Sequence, residues 1–217
     1  VQDILSSPLA QSVFAEYLER ERREEPQFEA ERSRAGRVDL DAYLLAIGHD
    51  VAALVHTMIV ARKPEFILEL GTSYGYSTLV LADAANQVGA TVVTVDLAAE
   101  KQEYAAAMLS KAELASVVKF HCGDAVDYLI DRHERIDFVL LDIWKERYLA
   151  CLQAIHPLLA EEGIIVADNA ITPEVSRPAI REYRAGIEAL ADISSTLLPI
   201  GQGIEVSVRW TPGNPKL

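Results

Sequence analysis

Asp96, Asp142, Lys145, Asp168 and Asn169 follow the ends of short apolar runs, and they hold most of the chemistry open to this chain. Asp142 closes the run FVLL, and Asp168 with Asn169 closes IIVA. Two carboxylates and an amide are hard oxygen donors. They suit Mg²⁺, or Mn²⁺ or Ca²⁺, and not zinc, which prefers nitrogen and sulfur. Taken alone, Asp142 reads equally well as a helix N-cap. The pairing of LLD with VADN on successive strands is what favours a metal. The five histidines, His49, His56, His121, His133 and His156, show no metal-ligand spacing and read as surface or structural residues, with His49 the one to watch near a pocket.

A second constellation lies upstream in ILELGTSYGYSTLVLA, residues 67–82. A buried strand there ends in a glycine turn that opens onto a helix, so backbone N–H groups and the helix dipole face a ligand. A dinucleotide loop wants glycine two places after the first, where this chain has Ser73, and a Walker loop wants Gly-Lys-Ser/Thr. Gly71 and Gly75 instead stand four apart behind Glu69. A carboxylate there repels phosphate and attracts an ammonium group, which suits a zwitterionic amino-acid tail. Asp96, 25 residues after Gly71, can accept two hydrogen bonds from a ribose diol. Asp124 and Ala125, in a Gly-Asp-Ala turn, can meet an adenine edge.

Elements that would position these residues alternate. Strands are expected at 66–70, 92–95, 117–120, 138–141 and 164–167, with helices at 76–86, 98–112, 125–132 and 145–159. That alternation predicts a mostly parallel sheet with helices on both faces, an α/β fold. Two further strands, 194–200 and 204–210, flank a Gly-Gln-Gly turn and form an antiparallel hairpin, making about seven strands. Residues 1–60 read as N-terminal helices: 8–23, a charged solvated face broken at Pro26, and an amphipathic run over 39–60. Residues 1–217 read as one domain, 1–60 helical and 61–217 the α/β core.

With 217 residues, half of them hydrophobic, the chain can build a sizeable core unaided. Cys122 and Cys151 lack framework spacing and read as buried small apolar residues, in keeping with a reducing cytoplasm. No apolar run reaches the ~18 residues that span a bilayer, and no signal-peptide pattern opens the chain. A net charge of −13 argues against a nucleic-acid surface.

ELGTSYGYS, Asp96, LDIWKERY (141–148) and ADN (167–169), in this order, resemble the divalent-metal-dependent, S-adenosylmethionine-dependent O-methyltransferases, the catechol and caffeoyl-CoA group. The resemblance covers about residues 40–210. It implies a Rossmann-like methyltransferase fold, S-adenosylmethionine and Mg²⁺ as cofactors, a small aromatic substrate and a homodimer. By that resemblance Glu69, Gly71, Ser77 and Asp96 hold the methionine and ribose parts of the cofactor. Thr72, Gly75, Asp142 and Trp144 complete its site, and Asp124 and Ala125 lie beside the adenine. Asp142, Asp168 and Asn169 are the implied metal ligands and Lys145 the implied base. The chemistry is coherent, because a phenol with a pKa of about 10 is mostly neutral at pH 7 and needs activation. A vicinal diol on Mg²⁺ loses a proton more readily, and an oriented lysine can take it. Holding oxygen and methyl carbon about 3 Å apart recovers much of the cost of bringing two reactants together.

Some residues depart from the pattern. Ile143 stands where the catechol enzyme has histidine. Trp144 is a cofactor or methyl-site wall, or else a core aromatic. The acidic residue that helps hold the catechol has no clear match, and Glu205 does not inherit its role. Arg177, Arg181 and Arg184 fall at helical spacing and read as a solvated face. Substrate walls are expected from residues 1–50, the segment after Asn169 and the Gly201–Gly203 turn. The alternatives are a methyltransferase for another acceptor, a non-catalytic nucleotide-binding module, and a nicotinamide oxidoreductase, the last disfavoured by Ser73.

Overall fold

The computed structural model describes residues 5–34, 38–130 and 132–210. Its strands are β1 (Phe66–Leu70), β2 (Thr91–Asp96), β3 (Val118–Cys122), β4 (Ile136–Leu141), β5 (Leu159–Ala167), β6 (Ile193–Leu198) and β7 (Ile204–Arg209). They form one sheet in the order β3-β2-β1-β4-β5-β7-β6. The first five run parallel, and β7 is antiparallel to both β5 and β6. The order reverses between β1 and β4, the place where open sheets of this kind take their ligands.

Strand alternation feeds a core on each face. Ile67, Phe138, Leu140, Ile164 and Val166 pack on one side with α1 (Pro8–Ser33), α2 (His49–Arg62), α3 (Tyr76–Val88) and α4 (Ala99–Lys111). Leu68, Leu70, Val139, Leu141, Ile165 and Ala167 pack on the other with α5 (Ala125–Ile130), α6 (Tyr148–Ile155) and α7 (Arg177–Glu188). Strands covered on both faces are continuously apolar, as parallel strands should be. Residues Tyr76 to Ala85 of α3 are buried on every side, because the helix lies between the sheet and a second layer made by α1 and α2.

Several boundaries differ from the sequence expectation. The first helix does not break at Pro26. A proline inside a helix forgoes one backbone hydrogen bond, and contacts on either side offset that cost. Glu24 accepts from the Leu44 amide at 2.7 Å, and the Phe28 and Tyr43 rings meet at 5.1 Å. The run expected to be helical over 39–60 is instead one 3₁₀ turn (Leu40–Ala42), an irregular stretch with Leu45 at φ +45°, and α2 starting after Gly48 at φ +84°. The stretch from Asp41 to Leu44 spends its backbone groups on α1 and on the glycine turn. The helix expected at 145–159 is a 3₁₀ turn followed by α6 and a second 3₁₀ turn. Leu159 already pairs with Ile136, and a register shift lets β5 begin early. Asp131, inside the expected helix 125–132, and residues 1–4 lie outside the described residues.

Cys151 is buried as expected, but Cys122 is exposed, because β3 is the edge strand and only one of its faces is covered. Arg177 pairs with Glu174 on the surface, whereas Arg184 leaves the solvated set. Its Nε lies 3.0 Å from an oxygen of buried Glu205, an ion pair without hydrogen-bond alignment. A carboxylate so deeply placed needs a countercharge. His56 is buried against Asp83 at 3.0 Å, a structural pair, and His49 opens α2 on the exposed side. No helix is long and apolar enough to cross a membrane among the described residues.

Candidate functional site

Backbone ladders continue just past the strand ends and align the polar residues there. The Gly71 amide donates to Val95 O at 2.9 Å and the Asp142 amide to Leu70 O at 2.8 Å. The Asp168 amide donates to Leu141 O at 3.0 Å and the Gly123 amide to Asp96 O at 2.9 Å. Residues scattered over a hundred positions thus reach one edge of the sheet.

Gly71 has φ +106°, and a Cβ there would overlap the carbonyl oxygen of Asp142 and sit 2.8 Å from its carbon. Only glycine lets β1 and β4 part this closely. Gly75, at φ +89°, ends the turn and caps α3, so the first-turn amides of a 13-residue helix face the sheet edge. Beneath the turn lies Glu69, fully buried. Its Oε1 accepts from Ser77 Oγ at 2.5 Å, and its Oε2 accepts from Thr78 Oγ1 and Thr94 Oγ1, each at 2.6 Å. Burial pushes this carboxyl up to about 7, against the pull of the three hydroxyls. Glu69 and Thr72 therefore support the turn from below. Thr72, also buried, meets Thr94 Oγ1 at 2.6 Å and accepts from Gln102 Nε2 at 3.1 Å.

Asp96 is half-buried at the end of β2. Its Oδ2 accepts from the Ser73 amide at 2.8 Å and its Oδ1 from the Ala98 amide at 2.9 Å. Each oxygen keeps a lone pair that can meet a diol. Asp124 caps α5, whose first residue is Ala125. Its Oδ1 accepts from the Val126 and Asp127 amides, and Arg147 Nη2 lies 2.8 Å from both of its oxygens. Against the upward pull of partial burial, those amides and the guanidinium hold Asp124 below the usual carboxylate range.

The other half of the site gathers around Lys145. Its Nζ donates to Asp142 Oδ1 at 2.9 Å, Ile143 O at 3.0 Å and Tyr148 Oη at 2.9 Å. Tyr148 is fully buried, and its hydroxyl lies 2.8 Å from Leu141 O and 3.0 Å from Asp168 O, ready to donate its one proton to either. Burial, then the charge of Asp142, raises Asp168 to about 7. Asp168 Oδ1 is buried with no hydrogen-bond partner, and Asn169 follows it at φ +56°. An orphaned carboxylate oxygen beside a second carboxylate is a place for a cation. Among the described residues no three His, Cys, Asp or Glu side chains gather to hold a metal. The donor set that fits is therefore two carboxylates with the Asn169 amide. Trp144 is 59% exposed at the rim, which removes the core-aromatic alternative.

The three segments expected to wall a substrate meet at one turn. The Ala170 amide donates to Gly203 O at 2.7 Å, and a Cβ on Gly203 would lie 2.6 Å from Ile171 Cβ. A Cβ on Gly201 would lie 3.7 Å from Ile47 O and 2.9 Å from Val51, one residue past the expected segment. Three participants were not legible as such in sequence: Ser73, whose amide anchors Asp96; Arg147, which clamps Asp124; and Tyr148, which holds Lys145. The last left a signal, since Lys145 and Tyr148 stand three apart at the start of a helical run.

A family described as a methyltransferase domain matches residues 68–170, the stretch holding both halves of this site. The class defined by fold and site is thus that of the methyltransferases. Catechol O-methyltransferase of Sus scrofa is 26% identical over 178 residues, covering 78% of this chain and 95% of its own length. Caffeoyl-CoA O-methyltransferase 5 of Nicotiana tabacum is 26% identical, covering 77% of this chain and 78% of its own length. Catechol O-methyltransferase B of Danio rerio is 28% identical, and the chain spans only 55% of its length. Among solved structures, the O-methyltransferase from Bacillus cereus in complex with SAH superposes with a TM-score of 0.73 at 24% identity, covering 96% of this chain and 94% of that one. The matched stretch is a methyltransferase domain, and the chain is similar to S-adenosylmethionine-dependent O-methyltransferases, enzymes of class EC 2.1.1.

Proposed function

We propose that this chain transfers a methyl group to one hydroxyl of a vicinal dihydroxy aromatic small molecule, with a divalent metal at Asp142, Asp168 and Asn169 and Lys145 as general base. One observation carries the reading: Lys145 Nζ is fixed 2.9 Å from Asp142 Oδ1 beside the orphaned Asp168 oxygen. A module that only bound a nucleoside would need neither a lysine held by three acceptors nor a second, unpartnered carboxylate. The catechol and caffeoyl-CoA acceptors in the relatives' names support the substrate class.

The residues divide the work. Asp96 meets the ribose diol of the cofactor. The turn from Gly71 to Gly75 presents backbone amides to its amino-acid part, with Glu69 acting from below through the Ser77 hydroxyl. S-adenosylmethionine supplies an activated methyl group, and Mg²⁺ would lower the pKa of an acceptor hydroxyl and orient it. Lys145, its Nζ placed by Tyr148 and the Ile143 carbonyl, receives the hydroxyl proton as the neutral amine and becomes the ammonium. Trp144 and the Ile171–Gly203 contact wall the acceptor side.

A panel of catechols, hydroxycinnamates and their CoA esters, assayed with S-adenosylmethionine in Mg²⁺ and in EDTA, tests this. Transfer to a vicinal diol that stops in EDTA is the expected result, and full activity in EDTA refutes the metal. Asp168→Ala should abolish metal-dependent transfer and leave affinity for S-adenosylhomocysteine nearly intact. The homodimer is part of the same reading, and light scattering on the eluting protein checks it.

A further inference from the structure

We infer that the N-terminal helix is a working part of the cofactor site, and that Tyr17 is the positioning residue through which it acts. Tyr74, in the glycine turn, is gripped on every side. Buried Tyr17 of α1 donates its hydroxyl to Tyr74 O at 2.7 Å, and the Tyr74 hydroxyl donates to Asp41 O at 2.9 Å. The Arg20 guanidinium stacks 3.8 Å over the Tyr74 ring, and Tyr104 of α4 meets that ring edge-on at 5.5 Å. Lys101 ties the far side down by pairing with Asp41 Oδ1 at 2.7 Å.

This grip matters for what stands next to it. Ser73 adopts φ +44°, a left-handed conformation that a residue with a side chain keeps only when its surroundings impose it. In that conformation its amide points at Asp96 Oδ2, 2.8 Å away. The chain of contacts therefore runs from Tyr17 to the Tyr74 carbonyl, through strained Ser73, to the carboxylate at the ribose position. Gly75 belongs to the same contact, since a Cβ there would lie 3.0 Å from Tyr17 Oη. Burial keeps the Tyr17 phenol protonated and a donor across the working pH range. Without this hydrogen bond Ser73 relaxes, and cofactor binding must restore the strained turn each time, which weakens affinity. The inference rests on the cofactor reading above, because it assigns Tyr17 to the binding of that ligand.

Calorimetric titration of S-adenosylhomocysteine into the wild type, Tyr17→Phe and Ser6→Ala tests it. Ser6 pins the start of α1 to Asp83, at 2.6 Å through its hydroxyl, and among the described residues no hydrogen bond joins it to the turn. Tyr17→Phe should raise Kd by about three- to tenfold, the range expected for one net hydrogen bond. KM for S-adenosylmethionine should rise likewise, with kcat at saturation and the acceptor KM unchanged. Ser6→Ala should lower Tm and leave Kd as it was. An unchanged Kd in Tyr17→Phe overturns the inference, and so does an equal rise in Ser6→Ala, which would reduce the effect to general loosening. Should Tyr17→Phe fail to fold, Arg20→Met removes the other hold of α1 on Tyr74, and an unchanged Kd there overturns the role given to the N-terminal helix. A wild type that binds no S-adenosylhomocysteine removes the cofactor reading itself and this inference with it.

Discussion

Glu69→Gln should gain stability relative to the wild type as pH rises from 5 to 8 in the ligand-free protein. The carboxyl is raised from 4.5 to about 7 in the fold, chiefly by burial. An acid with a raised folded-state pKa holds its proton in the fold after the unfolded chain has lost it. Folding then takes up a proton between the two values, and stability falls as pH rises through that window. Below 4.5 the effect is absent, and above about 7 it is complete. At 1.36 kcal/mol per unit the full penalty is about 3 kcal/mol, of which about 2–3 kcal/mol develops between pH 5 and 8. Glutamine does not titrate and is free of this slope. It does present an amide donor to one of the hydroxyls of Ser77, Thr78 and Thr94, at a pH-independent cost of about 1–2 kcal/mol. The variant should therefore be less stable than the wild type at pH 5 and equal or more stable at pH 8. Urea unfolding of both proteins at both pH values, in EDTA, gives the double difference, from which other groups cancel. A double difference below about 0.5 kcal/mol, or one of opposite sign, would refute the account of Glu69 as a buried, costly support for the turn.

Lys145→Ala should lower kcat by about 10²–10⁴-fold, the range for a general base, with S-adenosylhomocysteine affinity little changed. An unaltered kcat takes Lys145 out of the mechanism. Asp96→Ala removes a carboxylate from the ribose position and should weaken the cofactor by about ten- to a hundredfold whatever the acceptor, as calorimetry would show. Gly71→Ala forces a Cβ onto the Asp142 carbonyl at a φ of +106°. It should cost about 2–5 kcal/mol in urea unfolding, and a loss under about 1 kcal/mol would mean that the strand ends are free to part.

The architecture was legible because it rests on one-dimensional signals. Apolar runs of five or six residues alternating with helical periods leave few sheets to choose from, and the right strand ends follow from the ladder. Asp142, Asp168 and Asn169 could be placed for the same reason: they are the first or second residues after their strands. Side-chain partnership was not legible, since it depends on which groups meet across the fold. Nothing near Glu69 in the sequence says that Ser77, Thr78 and Thr94 fill its oxygens, and so it reads as a ligand contact when it lies under the turn. Asp124 looks open to an adenine until Arg147, 23 residues on, is seen clamped to it. Pro26 is a breaker by local rule, and the contacts of Glu24 and Phe28 with Leu44 and Tyr43 override it.

The two halves of the site are not independent, and Asp142 is the reason. Its carbonyl oxygen fills the space that a Cβ on Gly71 would need, so the glycine turn and the β4 end are in van der Waals contact through backbone. Its carboxylate holds Lys145, and Lys145 holds the buried Tyr148 that bridges the carbonyls of Leu141 and Asp168. A displacement at Gly71 must therefore move the Asp142 backbone, and with it the lysine and the orphaned oxygen of Asp168. Packed backbone of this kind resists gradual deformation. Gly71 and the carboxylates at the ends of the next two strands should shift together or not at all. A loosening introduced at Tyr17 stays out of kcat only because it enters at Ser73 and Tyr74, on the far side of Thr72 from Gly71. The same loosening at Gly71 would enter both halves at once, so Gly71→Ala should depress cofactor affinity and kcat together where Tyr17→Phe separates them.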